Sequence, residues 1–145
     1  MGYVENTLVD GEEILGTFKM SNKFKIGVFV TLIVGLILII VGAQMEGEEG
    51  EGMASFGSIL IPIGGFLLYI YYSSSTTITS RRVVQKLPAN KMNEITYDKI
   101  ESVNVTGNAI MIKGSGGSKI KAGYLENAHE AVKLINQASE NYKAK

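Results

Sequence analysis

Two long apolar segments dominate the pattern of hydrophobic and polar positions along the chain. Residues 26–43 read IGVFVTLIVGLILIIVGA and residues 53–72 read MASFGSILIPIGGFLLYIYY, and neither segment contains a charged residue. A helix of about 20 apolar residues is long enough to cross a hydrocarbon core of about 30 Å. The pattern therefore predicts a transmembrane helical hairpin over residues 26–72, with residues 44–52 as an acidic loop between the two helices.

Alternating polar and apolar positions on either side of this hairpin predict short strands. Ile14, Gly16 and Phe18 share one face of a segment that ends just before the first span, although Leu15 interrupts the alternation. After the second span, runs rich in β-branched residues are separated by glycine, proline and asparagine. These runs predict strands near residues 76–79, 82–86, 94–97, 102–106, 109–113 and 119–122.

Apolar residues at helical spacing predict a final helix over residues 127–141. Asn127 suits the N-cap position, and Glu130 three residues later suits the reciprocal position of a capping box. The apolar stripe consists of Ala128, Ala131, Val132, Leu134, Ile135 and Ala138. We therefore expect an α+β fold: a small barrel or sandwich of about seven short strands with one C-terminal capping helix. The strand before the hairpin joins this sheet, because the hairpin returns the chain to the same side.

The distribution of charge predicts the orientation of the hairpin. Lysines precede the first span and Arg81 and Arg82 follow the second, whereas residues 44–52 contain four glutamates and no basic residue. The positive-inside rule then places both termini in the cytoplasm and the acidic loop outside. Residues 41–43 also resemble a signal-peptidase site, but the span is long for a signal peptide. We expect a multi-pass protein of the cell membrane, with a cytoplasmic segment over residues 1–25 and a cytoplasmic domain over residues 73–145.

Several short motifs resemble those of the bacterial pleckstrin-homology-like (PH-like) family of small membrane proteins. Gly11-Glu12 precedes a strand and two spans, after which residues 78–83 (ITSRRV) match a Val/Ile-Thr-x-Arg-Arg-Val segment of that family. Residues 100–103 match a later Ile-x-x-Val segment, while Ser80 stands where the family often has Asn. The resemblance implies a PH-like domain of about seven strands with a capping helix. It implies no activity, because the family has no agreed ligand.

Basic residues of the C-terminal domain are the candidates for binding. Residues 74–145 carry eleven Lys and Arg against six Asp and Glu, and a basic surface at the cytoplasmic leaflet attracts anionic lipid. Arg81 and Arg82 are expected to contact lipid headgroups or an acidic partner, or else to form a structural salt bridge. Lys113, Lys119 and Lys121 are expected on one outward strand face, as a basic patch or as an ordinary solvated surface.

Glycines recur every seven residues in both spans. Gly35 and Gly42 lie on the first, and Gly57 and Gly64 lie on the second. Such spacing places a bare stripe along a helix, which lets two helix backbones approach closely in lipid. The stripes predict either the packing of the hairpin on itself or a dimer interface.

Other classes of function find little support in the sequence. The chain has no cysteine, and its single histidine, His129, has no companion for a metal site. No pair of residues suits general acid–base or nucleophilic catalysis, so we expect neither an enzyme nor a cofactor. The spans lack ionisable residues, which argues against a proton-coupled pump. The positive charge is modest and carries no interleaved aromatics, which argues against nucleic-acid binding.

Two functions remain open at the level of sequence. The first is a non-catalytic, membrane-anchored PH-like module that binds anionic lipid, a protein partner or a second copy of itself at the cytoplasmic leaflet. The alternative is a small channel or transporter component that forms a homo-oligomer through its glycine-lined helices. The second predicts stable homo-oligomers in detergent that are lost when Gly35 and Gly42 are replaced by leucine.

Overall fold

The structure, a computed structural model, describes residues 5–144 and divides into two compact units. The helical unit comprises residues 22–72. The sheet unit combines the residues up to Ser21 with those from Ser73 onward, so that two distant parts of the chain build one domain.

The helical unit consists of α1 (Asn22–Gln44) and α2 (Glu48–Ser73), joined by residues 45–47. Both helices are long and apolar enough to cross a membrane. The connection is shorter than the predicted loop over residues 44–52, because Glu48, Glu49 and Glu51 lie in the first turn of α2. Carboxylates are favoured there by the positive end of the helix dipole, so the helix begins before its apolar segment does.

The two glycine stripes face each other inside this helical hairpin. Gly35 and Gly42 of α1 and Gly57 and Gly64 of α2 are all buried. A side-chain carbon added at Gly35 would lie 3.0 Å from Cβ of Leu60, and one added at Gly57 would lie 2.5 Å from the carbonyl oxygen of Gly35. The stripes therefore let the two backbones approach within one chain, which is the first of the two interpretations that the sequence allowed.

The described residues of the sheet unit form seven strands in two antiparallel sheets. Sheet 1 has the order β1-β2-β3-β4, and sheet 2 has the order β5-β6-β7. The strands are β1 (Ile14–Lys19), β2 (Ser75–Thr79), β3 (Arg82–Lys86), β4 (Met92–Thr96), β5 (Ile100–Thr106), β6 (Ala109–Gly114) and β7 (Lys119–Ala122). The α+β class and the seven strands are confirmed, whereas the two sheets do not close into a barrel.

Strand β1 pairs with β2, although the whole helical unit separates the two strands in the sequence. Ile14 is opposite Thr79, but Gly16 is already opposite Ile78, so that Leu15 is an extra residue in the ladder. A bulge of this kind explains why Leu15 interrupts the alternation of the sequence.

A third helix, α3 (Ala128–Lys143), covers the core of the sheet unit. It buries Ala128, Ala131, Ile135 and Ala138 against a core that includes Ile78, Val83, Tyr97, Ile112 and Ile120. Asn127 occupies the N-cap position, but its side chain makes no capping hydrogen bond, so the predicted capping box does not form. The reason is its backbone, with φ −135° and ψ 67°, which is not the extended conformation of a capping residue.

Candidate functional site

The register of sheet 2 brings three lysines onto one outward face. Lys113 of β6 is directly opposite Lys119 of β7, and Lys121 is opposite Met111. The residues between them, Ile112 and Ile120, are buried in the core, so the lysines point away from it. Strand β5 adds Ser102 beside Lys113 and Asn104 beside Met111. We call this surface the lysine face: Ser102, Asn104, Met111, Lys113, Lys119 and Lys121.

The charge of the lysine face is not balanced by acidic neighbours. Its three lysines are exposed, and none of them forms a salt bridge with any residue in the part of the chain that the structure describes. Two like charges directly opposite each other on neighbouring strands are destabilising. An anion bound between Lys113 and Lys119 would relieve this repulsion.

Arg82 lies in a different environment, held by bonds within the sheet unit. Its Nε donates to Oε1 of Glu12 at 3.0 Å, its Nη1 donates to Glu94 at 2.6 Å, and its Nη2 donates to the carbonyl of Thr7 at 2.6 Å. Its side chain is only 14% exposed. These contacts correspond to the structural salt bridge that the sequence left open for this arginine.

Glu12 is the centre of that cluster, and its side chain is fully buried. Besides Arg82, the backbone N–H of Val9 donates to it at 3.0 Å and the hydroxyl of Thr79 donates at 2.6 Å. Burial raises the pKa of Glu12, but the donors from Thr79, Val9 and Arg82 together outweigh burial and bring the pKa below its ordinary value. Glu12 is therefore an ionised carboxylate that ties the segment before β1 to the β2–β3 hairpin.

Sequence reasoning did not identify Glu12 as a structural centre. The one indication was that Gly11-Glu12 and Arg81-Arg82 appear together in the motifs of the PH-like resemblance. Nothing local marks Glu12, because its partner Arg82 is 70 positions away.

Tyr97 lies beneath the same cluster and is fully buried. Its hydroxyl donates to the carbonyl of Thr79 at 2.6 Å. Burial, followed by the negative charge of Glu12, raises the pKa of Tyr97 well above its ordinary value, so the phenol stays protonated.

Arg81 is exposed, in contrast to Arg82. Its Nη2 donates to the carbonyl of Asp10 at 3.0 Å, and the side chain lines an open cavity of about 840 Å³ beside the end of α3. The five predicted binding residues therefore occupy three environments: three lysines on sheet 2, Arg82 in the Glu12 cluster, and Arg81 in this cavity.

Neither a search of the described side chains for metal ligands nor the comparisons with known proteins point to a further site. Within residues 5–144, no group of three His, Cys, Asp or Glu side chains lies close enough to hold a metal ion. His129 is exposed at the start of α3. Comparison of the chain with protein-family models, with curated proteins and with solved structures finds no match.

Proposed function

We propose that the protein is a non-catalytic, membrane-anchored PH-like module whose lysine face binds anionic lipid headgroups at the cytoplasmic leaflet. The observation that carries this proposal is the direct register of Lys113 and Lys119, with Lys121 on the same face and no acidic partner for any of them among the described residues. Two antiparallel sheets of four and three strands with a C-terminal helix agree with the fold that the resemblance implies.

The surface of the helical unit supports a membrane location. Its large apolar side chains, such as Ile33, Phe56 and Phe66, are mostly exposed, whereas its buried positions are largely glycine. Near the start of α1, Lys25 Nζ lies 5.8 Å from the ring centre of Tyr71 and 5.6 Å from that of Tyr72. Aromatic rings and lysine together are typical of the boundary between lipid and water.

The pairing of β1 with β2 supports a topology in which both flanks of the helical unit lie on the same side of the membrane. These strands flank the helical unit on either side in the sequence, and they form one antiparallel ladder. Two membrane crossings return the chain to the side on which it began, so the sheet unit can form with both flanks in the cytoplasm.

The strength of lipid binding follows from the number of lysines. Each well-placed lysine contributes about 1 kcal/mol near an anionic leaflet, so three contribute about 3 kcal/mol, or a population shift of about a hundredfold. Since the helices already anchor the chain, this energy orients the sheet unit on the leaflet rather than recruiting it from solution.

The alternative of an oligomeric channel has less support. It requires the glycine stripes to face a second copy, yet Gly35 and Gly57 face each other within the hairpin. We therefore propose a single function.

A single-cysteine experiment tests the proposal, because the natural chain contains no cysteine. The full-length protein carries Asn104→Cys on the lysine face, or Gln137→Cys on the exposed surface of α3 as a control. Each cysteine is labelled with a fluorophore, and the protein is placed in nanodiscs of neutral lipid or of lipid that includes phosphatidylglycerol. A quencher on the lipid headgroups reports how close each label lies to the membrane.

We expect quenching at position 104 to be stronger in anionic lipid and to disappear at about 1 M salt, where the Debye length is about 3 Å. The double variant Lys113→Gln/Lys119→Gln should abolish the difference. Lys133→Gln/Lys143→Gln, which removes the same charge from α3, should retain it. Equal quenching in the two lipids, or an equal loss in the two double variants, would refute lipid binding by the lysine face.

A further inference from the structure

Two cavities that share Leu15 lie between strand β1, at the edge of sheet 1, and helix α3. Among the residues that the structure describes, β1 pairs with a strand of the sheet, β2, on one side only. A cavity of about 360 Å³ lies on its other side, lined by residues 15–19 and by Glu126, Asn127, Glu130 and Leu134. Leu15 also lines the cavity of about 840 Å³ that contains Arg81 and Tyr142. We call the two cavities together the edge groove.

The chain itself already adds a short strand to one end of this edge. Met20 forms an antiparallel bridge with Leu125, and the N–H of Glu126 donates to the carbonyl of Lys19 at 3.3 Å. After Asn127 the chain turns into α3 and leaves the edge. The edge of β1 from Phe18 back to Ile14 is therefore available to a strand that continues the same ladder.

The backbone of Thr17 is directed into the edge groove. Because the carbonyl of Lys19 points away from β2, the alternation of an antiparallel ladder directs the N–H and C=O of Thr17 to the same side. The hydroxyls of Thr17 and Thr77 lie 3.3 Å apart, as expected of a directly opposed pair without mutual backbone bonds. An unpaired edge of this kind is where an extended peptide adds to a sheet.

The side chains that line the edge groove indicate which residue types a bound peptide would carry. Glu126 and Glu130 are exposed and line the same cavity as Lys19, so these three side chains together carry a net charge of −1 (1 − 2), and neither carboxylate forms a salt bridge with another described residue. A peptide antiparallel to β1 places its N-terminal half beside these carboxylates and its middle beside Leu15, which is 42% exposed. A basic residue followed by an apolar residue fits these two positions.

The same charges disfavour a second copy of β1 as the occupant. In an antiparallel pair of β1 strands, the exposed Glu13 of the second copy would approach Glu126 and Glu130 of the first. Like charges at this distance oppose the pairing. The occupant that fits is therefore a segment of another protein.

We propose that the edge groove binds an extended segment of a partner protein, which adds antiparallel to β1 with a Lys or Arg against Glu126 and Glu130 and an apolar side chain on Leu15. The length of α3, 16 residues or about 24 Å, accommodates a segment of about seven extended residues. The groove shares no residue with the lysine face, so this proposal does not depend on lipid binding.

The test uses the full chain in nanodiscs and a phage-displayed library of random linear peptides, depleted beforehand on empty nanodiscs. We expect the enriched peptides to share a basic residue followed by an apolar one. Their affinity should fall about fivefold with Glu130→Lys and remain unchanged with Glu140→Lys, which reverses an exposed charge on α3 outside the groove. A library from which no peptide enriches on the folded protein would overturn the proposal.

Amide hydrogen exchange distinguishes strand addition from other modes of binding. A peptide that extends sheet 1 protects the N–H of Thr17, whereas a peptide bound elsewhere leaves its exchange rate unchanged. The proposal is wrong if the enriched peptides bind Glu130→Lys as tightly as Glu140→Lys, or if they leave the Thr17 amide unprotected.

Discussion

Replacement of Glu12 by glutamine is the most direct test of how the sheet unit is held together. Each carboxylate oxygen of Glu12 accepts two hydrogen bonds: Oε1 from Thr79 and Arg82 Nε, and Oε2 from the Val9 amide and Arg82 Nη2. A glutamine must place its NH₂ group where one of these oxygens was. In either orientation the NH₂ faces two donors, so at least two bonds are lost although the shape is kept.

The expected cost follows from burial. Removing one partner of a buried ion pair costs about 3–5 kcal/mol, because the remaining charge is left without compensation. Arg82 keeps its bond to Glu94, so we expect the lower value, about 3 kcal/mol. Glu94→Gln is the matched control: it removes a carboxylate from the same arginine, but its side chain is 55% exposed and the cost should stay below about 1 kcal/mol.

Hydrogen exchange of the full-length protein in nanodiscs measures this difference locally. A loss of about 3 kcal/mol accelerates exchange of the β2 and β3 amides about a hundredfold, provided that they exchange through opening of the sheet unit. Exchange in α1 should be unaffected, because α1 belongs to the other unit. Equal acceleration by Glu12→Gln and Glu94→Gln would refute the reasoning that the buried carboxylate is the centre of the cluster.

The same residue predicts a pH dependence. The pKa of Glu12 is lower in the folded protein than its ordinary value of 4.5, so the unfolded chain takes up the proton first as the pH falls. The contribution of Glu12 to stability is therefore complete above about pH 4.5 and is lost as the pH falls toward its folded pKa. Exchange rates measured across this range should show a smaller change with pH in Glu12→Gln than in the natural protein.

Two further substitutions test the packing of each unit. Gly57→Ala places a methyl group 2.5 Å from the carbonyl oxygen of Gly35, so it should lower the melting temperature of the helical hairpin in detergent, followed by circular dichroism. Gly65→Ala is the control on the same helix: a methyl group added there meets no neighbouring residue within 4 Å, so the melting temperature should not fall. A similar fall in both variants would contradict close packing at Gly57. Tyr97→Phe removes the donor to the Thr79 carbonyl and should destabilise the sheet unit by about 1–3 kcal/mol. Because Tyr97 stays protonated at pH 10, the ultraviolet titration of the native protein near that pH should be the same with and without this phenol.

Local patterns predicted the elements of the fold well. The strands at residues 82–86 and 119–122 have the predicted bounds, since β-branched residues and turn residues mark their ends. Both helices extend beyond the apolar spans. For α2 the reason is that the apolar segment begins only after the last glutamate, whereas a helix favours carboxylates in its first turn.

Features that depend on distant contacts were not predictable in this way. The burial of Glu12 requires a partner from beyond the helical unit, and a carboxylate near a turn ordinarily indicates a solvated surface. The edge groove depends on the point at which the chain leaves β1 to begin α3, which no period in the sequence reports. The alternation of Lys119, Ile120 and Lys121 did predict the lysine face, but the opposition of Lys113 and Lys119 depends on the register of the hairpin.

The contrast between Arg82 and the lysine face shows how the sheet unit divides its positive charge. Arg82 has a structural role: among the described residues, its hydrogen-bond acceptors belong to residues 7, 12 and 94, and these bonds join the segment before α1 to the strands after α2. The three lysines of the lysine face form no salt bridge with a described residue, and the direct opposition of Lys113 and Lys119 adds repulsion to the folded state. Arrangements that break a local rule are expected where function requires them. The ion pairs of Arg82 therefore leave the exposed Arg81 and the three lysines as the candidates for the proposed lipid binding, and only the lysines share one strand face.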